Sequence, residues 1–217
     1  MFQSAAPGWR TRPALPSGAM EVRPYADADA DAVARALARA FHDDPVYVAL
    51  YPDARRRPRR LYHTMRGALG AAIPEAVLTT TAGAPVGVAA FSPPGLDAMS
   101  PIRLVGSLAR HGWALGWAGL RRSLVIAGEL DDHRPRAPHW HLFLLGVDPE
   151  WQRRGIGTEL LAGTLAEETA RGEACYLETT RERNVGFYAR HGFAVRERFE
   201  LLGGRGPTVW TMMRAVA

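Results

Sequence analysis

Residues 152–157 read Gln-Arg-Arg-Gly-Ile-Gly and stand where an apolar run gives way to a helical pattern. The apolar run ends at Val147, and Pro149 predicts a turn before the helix. Glycine lets an anion approach the backbone, and the first turn of a helix offers free N–H groups and a positive dipole end. The segment therefore predicts a phosphate-binding turn, with a plain strand-to-helix turn as the alternative. The segment lacks the Gly-Lys-Ser/Thr sequence of a Walker loop, and it lacks the three-glycine spacing of a dinucleotide-binding turn.

His139 and His141 alternate along the same apolar run, so their side chains share one face of a strand. Because histidine titrates near neutral pH, either ring is a candidate general base, and a hydrogen-bonded core histidine is the alternative. Two histidines are too few for a metal site, so we predict no metal. Cys175 lies in an apolar strand pattern, and we expect it to be packed rather than nucleophilic.

The composition favours one packed domain that binds an anion. The chain has 217 residues, 47% of them hydrophobic, a formal net charge of +5 and arginine as its only strongly basic residue. We expect a disordered leader at 1–18, one domain at 19–217, and a solvated helix face rather than a nucleic-acid site at Arg55–Arg60. The single cysteine favours a reducing cytoplasm. Arginines interrupt the most apolar stretch, 104–127, so we predict no membrane span.

Strands and helices are predicted to alternate, which indicates a mixed α/β sheet with helices on its faces. The predicted strands are Met20–Tyr25, Ala76–Thr81, Pro85–Phe91, His139–Val147, Ala174–Thr179, Phe193–Leu201 and Pro207–Arg214. The predicted helices are Asp27–Phe41, Ala54–Ala72, Pro101–Gly128, Gly155–Arg171 and Asn184–His191, with Pro45 and Pro52 as breaks.

Two motifs carry a resemblance to a known family. Val147, Pro149, Gln152, Gly155 and Gly157 are similar to the acetyl-CoA pyrophosphate loop of the GNAT superfamily of N-acetyltransferases. Residues 184–193 (Asn-Val-Gly-Phe-Tyr-Ala-Arg-His-Gly-Phe) resemble a second motif of that family at the expected distance. From His133 to the C-terminus, the pattern is also similar to that of the puromycin N-acetyltransferase group.

The resemblance implies a fold in which two central strands splay apart after a bulge near Leu145 to Val147. It also implies that the pantetheine arm of acetyl-CoA lies in the opening. The implied coenzyme contacts are Leu145, Gly146, Val147, Gln152, Arg153, Arg154, Gly155, Ile156, Gly157, Thr158 and Asn184. For Asn184 an N-cap is the alternative.

The resemblance further implies that Tyr188 protonates the departing thiolate, with core packing as the alternative. Glu178 or His141 is the candidate base. The pocket for the acceptor would come from the front half of the chain, with candidates Asp43, Asp44, Tyr47, Tyr51, Tyr62 and Trp113.

The sequence therefore predicts an enzyme that moves an acetyl group from acetyl-CoA to a primary amine of a small, antibiotic-like molecule or aminonucleoside, as a monomer or homodimer. Acetylation of a protein N-terminus is one alternative. A non-catalytic acyl-CoA sensor or a nucleic-acid binder on the same scaffold is the other.

Overall fold

The computed structural model describes residues 21–71, 77–82, 84–94, 106 and 112–215. Within these ranges the chain forms a seven-stranded sheet in the order β1-β2-β3-β4-β5-β7-β6. The strands are β1 (Glu21–Pro24), β2 (Val77–Ala82), β3 (Ala84–Ser92), β4 (Trp140–Val147), β5 (Cys175–Thr179), β6 (Ala194–Glu200) and β7 (Thr208–Arg214). All neighbours are antiparallel except β4 and β5, which are parallel. The predicted mixed sheet is confirmed. The expected leader at 1–18 lies outside the described residues.

The helices lie on both faces of this sheet, as predicted. They are α1 (Ala30–Ala40), α2 (Pro45–Leu50), α3 (Arg57–Ala71), α4 (Gly116–Asp132), α5 (Ile156–Arg171) and α6 (Glu182–Ala189). On the first face of the sheet, one apolar core packs the four helices from α1 through α4 against the strands. It includes Leu37, Leu61 and Ile126. The other core joins α5 and α6 to the opposite face, through Leu160 and Tyr188. Alanines fill most of the buried stripe of α1, which lets this helix lie close to the sheet.

The sheet forks between its two parallel strands. β4 pairs with β5 only from Trp140 to Leu142, whereas its pairing with β3 continues to Val147. The register against β3 shifts where Ala90 pairs with Leu144 and Phe91 pairs with Leu142, so Phe143 is an extra residue in β4. This bulge bends β4 away from β5. It lies two residues before the predicted position near Leu145 to Val147.

Three helix predictions need correction. Pro45 begins α2 instead of breaking a helix, because proline lacks an N–H that the first helical position does not need. The second predicted helix begins at Arg57 rather than Ala54. The helix predicted at Pro101–Gly128 is interrupted in its described part, where Gly116 (φ 60°) separates a short 3₁₀ turn, Gly112–Ala114, from α4. The positive φ at Gly116 is a conformation that glycine adopts without strain.

Candidate active site

A cavity of about 460 Å³ opens where β4 leaves β5. It extends from the N-terminus of α5 along the end of β4 to α6. Of the predicted coenzyme contacts, all but Arg154 line it: Leu145, Gly146, Val147, Gln152, Arg153, Gly155, Ile156, Gly157, Thr158 and Asn184. Tyr188 lines it as well. The structure therefore brings both sequence motifs to one cleft.

The turn before α5 has the backbone geometry of an anion site. Gly155 has φ 82° and its carbonyl accepts the first helical bond, from the Glu159 N–H at 3.0 Å. The N–H groups of Ile156, Gly157 and Thr158 precede that bond, so the helix does not use them. Arg153 has φ 62°, an uncommon value for a residue with a side chain. These groups and the helix dipole make the turn suited to a phosphate.

Gly157 has a packing role that the sequence did not reveal. A Cβ atom at this position would lie 3.3 Å from Cζ of Phe187, a side chain of α6 that also lines the cavity. The missing side chain therefore lets α6 approach the first turn of α5. The distance between the phosphate turn and the helix that carries Tyr188 depends on this contact.

Gln152 and Arg154 make contacts within the protein. The Gln152 amide donates from Nε2 to the Val147 carbonyl at 2.9 Å, which ties the turn back to the end of β4. The Arg154 guanidinium lies over the Trp151 ring, 4.7 Å from its centre. Arg154 is thus placed beside the cavity rather than in its wall.

The end of β4 presents backbone to the cavity. Beyond Leu142, in the part of the chain that the structure describes, β4 keeps β3 on one side and no strand on the other. Its outer edge has the character of a sheet edge that an extended ligand with amide groups can join. Gly146 is required here for another reason as well. A Cβ atom would lie 3.0 Å from Cε2 of Phe41, the residue after α1, and even closer to the side chain of Leu37 in α1.

Tyr188 is both a core residue and part of the cavity wall. Its side chain is only 7% exposed and packs against Phe187 and Phe193, with ring centres 5.1 and 5.9 Å away. Burial raises the pKa of the Tyr188 phenol well above its usual range, and nearby Cys175 adds to the effect. The phenol is therefore protonated at neutral pH, as a proton donor must be. The packing of Tyr188 in the core is thus observed, and its role as a proton donor stays a prediction.

The alternative reading of Asn184 as an N-cap is wrong. The helix begins two residues earlier than predicted, with Arg181 as its N-cap and Glu182 as its first residue. Asn184 therefore lies within the first turn, and its Nδ2 donates to Oγ1 of Thr179 at 3.2 Å. Its predicted contact with a coenzyme stays a prediction, supported by its place in the cavity wall.

His141 and Glu178 form a pair at the fork, on the face of the sheet that carries α1. His141 Nε2 and Glu178 Oε2 are 2.7 Å apart, and both side chains are about seven-eighths buried, at 13% and 14% exposure. They flank the last β4–β5 pair, Leu142 with Leu177. Because a carboxylate only accepts, Nε2 donates, and the lone pair of the neutral ring is on Nδ1. Neither side chain is among those lining the cavity.

The surroundings of this pair are polar and partly unsatisfied. Oε1 of Glu178 and the Tyr176 hydroxyl are buried and make no hydrogen bond among the described residues. Burial, together with the charge of Glu178, raises the pKa of Tyr176. His139 points to the same face but bonds through Nδ1 to the Ala137 carbonyl at 2.7 Å, and burial lowers its pKa. His141, rather than His139, is therefore the histidine that Glu178 orients.

The cavity is electropositive. Its wall contains four arginines and one carboxylate, namely Arg153, Arg181, Arg183, Arg190 and Asp44. Asp44 Oδ2 lies 3.6 Å from Nε of Arg181, which leaves the other three arginines to face an anionic ligand. Arg181, Arg183 and Arg190 were not among the residues predicted from the sequence. They lie at the start and end of the helix that the second motif predicts, and this closeness to the motif was the available signal.

The acceptor pocket expected from the front half of the chain stays a prediction. Of the six candidates only Asp44 lines the cavity. Tyr51 is 1% exposed and bonds Thr64, whereas Trp113 is 54% exposed and its ring lies 4.5 Å from that of His63. The prediction of a fully solvated arginine cluster also fails at Arg57. This side chain is 6% exposed and donates to the carbonyls of Tyr51 and Pro52. Cys175 is buried in β5, as expected.

The described residues contain neither a metal-binding cluster nor a membrane-spanning helix. No group of three or more His, Cys, Asp or Glu side chains is arranged to hold a metal ion among them. No helix in the described ranges has the length and apolar character needed to cross a bilayer.

Comparison with known proteins identifies the same region. Residues 114–195 match the family model described as the acetyltransferase (GNAT) domain. A mycothiol acetyltransferase of Propionibacterium freudenreichii is 37% identical over an alignment 103 residues long, which covers 40% of this chain and 32% of that protein. The chain thus spans about a third of the length of this relative.

Solved structures extend the similarity of fold to nearly the whole chain. One is a Corynebacterium glutamicum protein described as histone acetyltransferase HPA2 and related acetyltransferase. Its TM-score is 0.66 at 22% identity, covering 90% of this chain and 96% of that one. Another is the polyamine N-acetyltransferase of Drosophila melanogaster. Its TM-score is 0.59 at 14% identity, covering 90% and 99%. The fold is that of the GNAT acetyltransferases.

Proposed function

We propose that the protein transfers an acetyl group from acetyl-CoA to a primary amine of a small molecule. One observation carries this proposal: a single electropositive cavity joins the phosphate turn at Gly155, the unpaired edge of β4 and the buried phenol of Tyr188. A ligand that fits all three parts needs phosphates, an extended amide-bearing arm and a thioester at its end. Acetyl-CoA has these parts in that order.

Binding of the coenzyme follows from the contacts in the wall. The N–H groups at the start of α5 and the Arg153 guanidinium would hold the pyrophosphate. Arg183 and Arg190 would add positive charge for the remaining phosphate. The amide groups of the arm would pair with the outer edge of β4 from Leu145 to Val147.

Chemistry then requires one proton to leave the amine and one to reach the sulfur. The neutral amine attacks the thioester carbonyl carbon, the C–N bond forms, and the C–S bond breaks to release the thiolate. Tyr188 donates the proton to the sulfur, since its phenol is protonated and lies in the cavity wall. His141, oriented by Glu178, lies at the fork but outside the cavity wall, so it would accept the proton from the amine through water. Direct attack needs no covalent enzyme intermediate.

The class of acceptor rests on the resemblance and on the relatives. The relatives with similar structure include a polyamine N-acetyltransferase, and the matched curated relative is a mycothiol acetyltransferase. The similarity to the puromycin N-acetyltransferase group supports an aminonucleoside or another antibiotic-like amine. We also propose a cytoplasmic enzyme that acts as a monomer or homodimer, made of one domain from residue 19 to 217.

An amine panel tests the proposal. The purified chain is incubated with acetyl-CoA and with polyamines, arylalkylamines, aminonucleosides, amino sugars or short peptides, and thiol release is followed. We expect turnover with at least one small amine and much less with the peptides. Turnover confined to peptides would contradict the small-molecule acceptor. Failure of CoA to bind, measured by calorimetry, would contradict the proposal as a whole.

A further inference from the structure

Where β4 and β5 separate, the hydrogen bonds of the sheet do not fix the distance between the two strand ends. Backbone bonds hold β4 and β5 together only as far as Leu142 and Leu177. Beyond that pair, in the described part of the chain, the two strand ends are joined by no ladder. The gap between them is where the acyl arm would lie, so something else has to set its width.

One end of α1 is fixed to the end of β4. The Arg39 guanidinium donates to Oδ2 of Asp148, the residue that follows β4, through both Nε (3.0 Å) and Nη2. Asp148 is 3% exposed, and its hydrogen bond raises the pKa of Arg39. An ion pair with one partner buried and two donors on one oxygen is more than a loose surface contact.

The chain that leaves α1 is fixed to the end of β5. Asp44 is 8% exposed and accepts from Oγ1 of Thr180, the residue after β5, at 3.0 and 3.2 Å. It also lies 3.6 Å from Nε of Arg181 and caps α2 by accepting from the Val46 N–H at 3.1 Å. Burial raises the pKa of Asp44, against the lowering effect of these partners.

We propose that residues 39–44 act as a strut that spans the fork and sets the width of the coenzyme cleft. Arg39 with Asp148 and Asp44 with Thr180 are its two attachments, to β4 and to β5. These are positioning residues, since neither Arg39 nor Thr180 lines the cavity. The inference rests on the proposed function, because it concerns the cleft in which CoA would bind.

A strut with two attachments behaves as two links in series. Loss of either attachment alone lets the width of the cleft vary. Loss of the second attachment then changes that width little further. The two attachments should therefore be strongly non-additive in their effect on CoA binding. They are separated by the length of the segment and share no side-chain partner, a situation in which unrelated contacts would give additive effects.

The test measures CoA affinity by calorimetry and thermal unfolding for three variants. Thr180→Val removes the hydroxyl while keeping the shape, and Arg39→Met removes the guanidinium while keeping the apolar stem. We expect each to weaken CoA binding about five- to tenfold, the scale of the net contribution of one ordinary hydrogen bond. The CoA affinity of the double variant should be no lower than that of whichever single variant has the lower CoA affinity.

Two controls separate positioning from general stability. Thr180→Ser keeps the hydroxyl and should restore wild-type affinity. Thr64→Val removes another partly buried threonine hydroxyl, which bonds Tyr51 at 2.6 Å in the first core, and should lower Tm without changing CoA affinity. Unchanged affinity in both single variants, or additive losses in the double variant, would overturn the strut. A wild-type protein that binds no CoA would instead overturn the proposed function itself.

Discussion

Replacing Gly155 by alanine should damage the phosphate turn through the backbone alone. Gly155 has φ 82°, and a Cβ atom built there meets nothing within 4 Å. Steric contact therefore plays no part, and only the conformational penalty remains. An L-residue in the left-handed region costs roughly 1–2 kcal/mol. In a chain of this size that corresponds to a fall in Tm of about 2–8 °C.

Gly116 supplies a matched control. Gly116 has φ 60° and is the first residue of α4, as Gly155 directly precedes α5. Its Cβ position is equally open. Gly116→Ala should therefore lower Tm by a similar amount, but it lies outside the cavity wall. Only Gly155→Ala should weaken CoA binding, because relaxing φ turns the N–H groups of the next residues away from the phosphate.

The size of the binding effect follows from one lost contact. A hydrogen bond to a charged group contributes roughly 1.5–3 kcal/mol, so CoA affinity should fall about 10- to 150-fold. Gly155→Asn should recover much of it, since asparagine tolerates positive φ better than alanine does. Calorimetry with CoA and thermal unfolding of the three variants make the test. Equal CoA affinity for Gly155→Ala and Gly116→Ala would refute the assignment of the phosphate turn.

Three further outcomes are expected. Tyr188→Phe should lower kcat about 100-fold with little change in CoA affinity, and an unchanged kcat would remove the phenol from the chemistry. His141→Gln and Glu178→Gln should each lower kcat/KM about 100-fold and the double variant no further, whereas multiplied losses would show two independent roles. Burial raises the pKa of Asp44, so the folded state holds this proton more tightly and wild-type stability falls as pH rises through that pKa. Asp44→Asn lacks this loss, so its free energy of unfolding relative to wild type should rise as pH increases above the ordinary carboxyl pKa of about 4 in urea titrations; a constant difference would contradict the shift.

Local patterns predicted most of the fold. Apolar runs ending at glycine and proline gave the strands of the sheet, and the helical spacing of leucines in 155–171 gave α5. The turn at Gly155, which has the geometry of an anion site, was predictable because its glycines, its arginines and the helix that follows lie within a few residues of one another. Tyr188 was predictable for the same reason, through a contiguous motif. The bulge was misplaced by two residues because register depends on pairing with β3, and the sequence of β4 does not contain that information.

The long-range contacts of the site could not be predicted in this way. Arg39 and Asp148 are 109 residues apart, and Asp44 and Thr180 are 136 residues apart. Each residue has an ordinary local explanation: Asp44 before Pro45 is a typical helix cap, and Arg39 lies on the polar side of an amphipathic helix. Nothing in a single sequence indicates that these polar groups meet across the sheet. The same holds for Arg183 and Arg190, whose position in the cavity wall depends on how α6 docks.

The fork explains why these distant contacts and the local motif belong to one site. Ending the β4–β5 ladder at Leu142 exposes the backbone edge that a ligand can join, but it also removes the bonds that would hold the strand ends in place. Gly146 sits at that exposed edge and has no side chain, so Leu37 of α1 and Phe41 just after it pack against the β4 backbone itself. The helix and the residues that follow it can then connect β4 to β5 through Arg39 and Asp44. The shape of the cleft and the position of α1 are therefore linked at Gly146. A substitution at Gly146 should disturb both of them together.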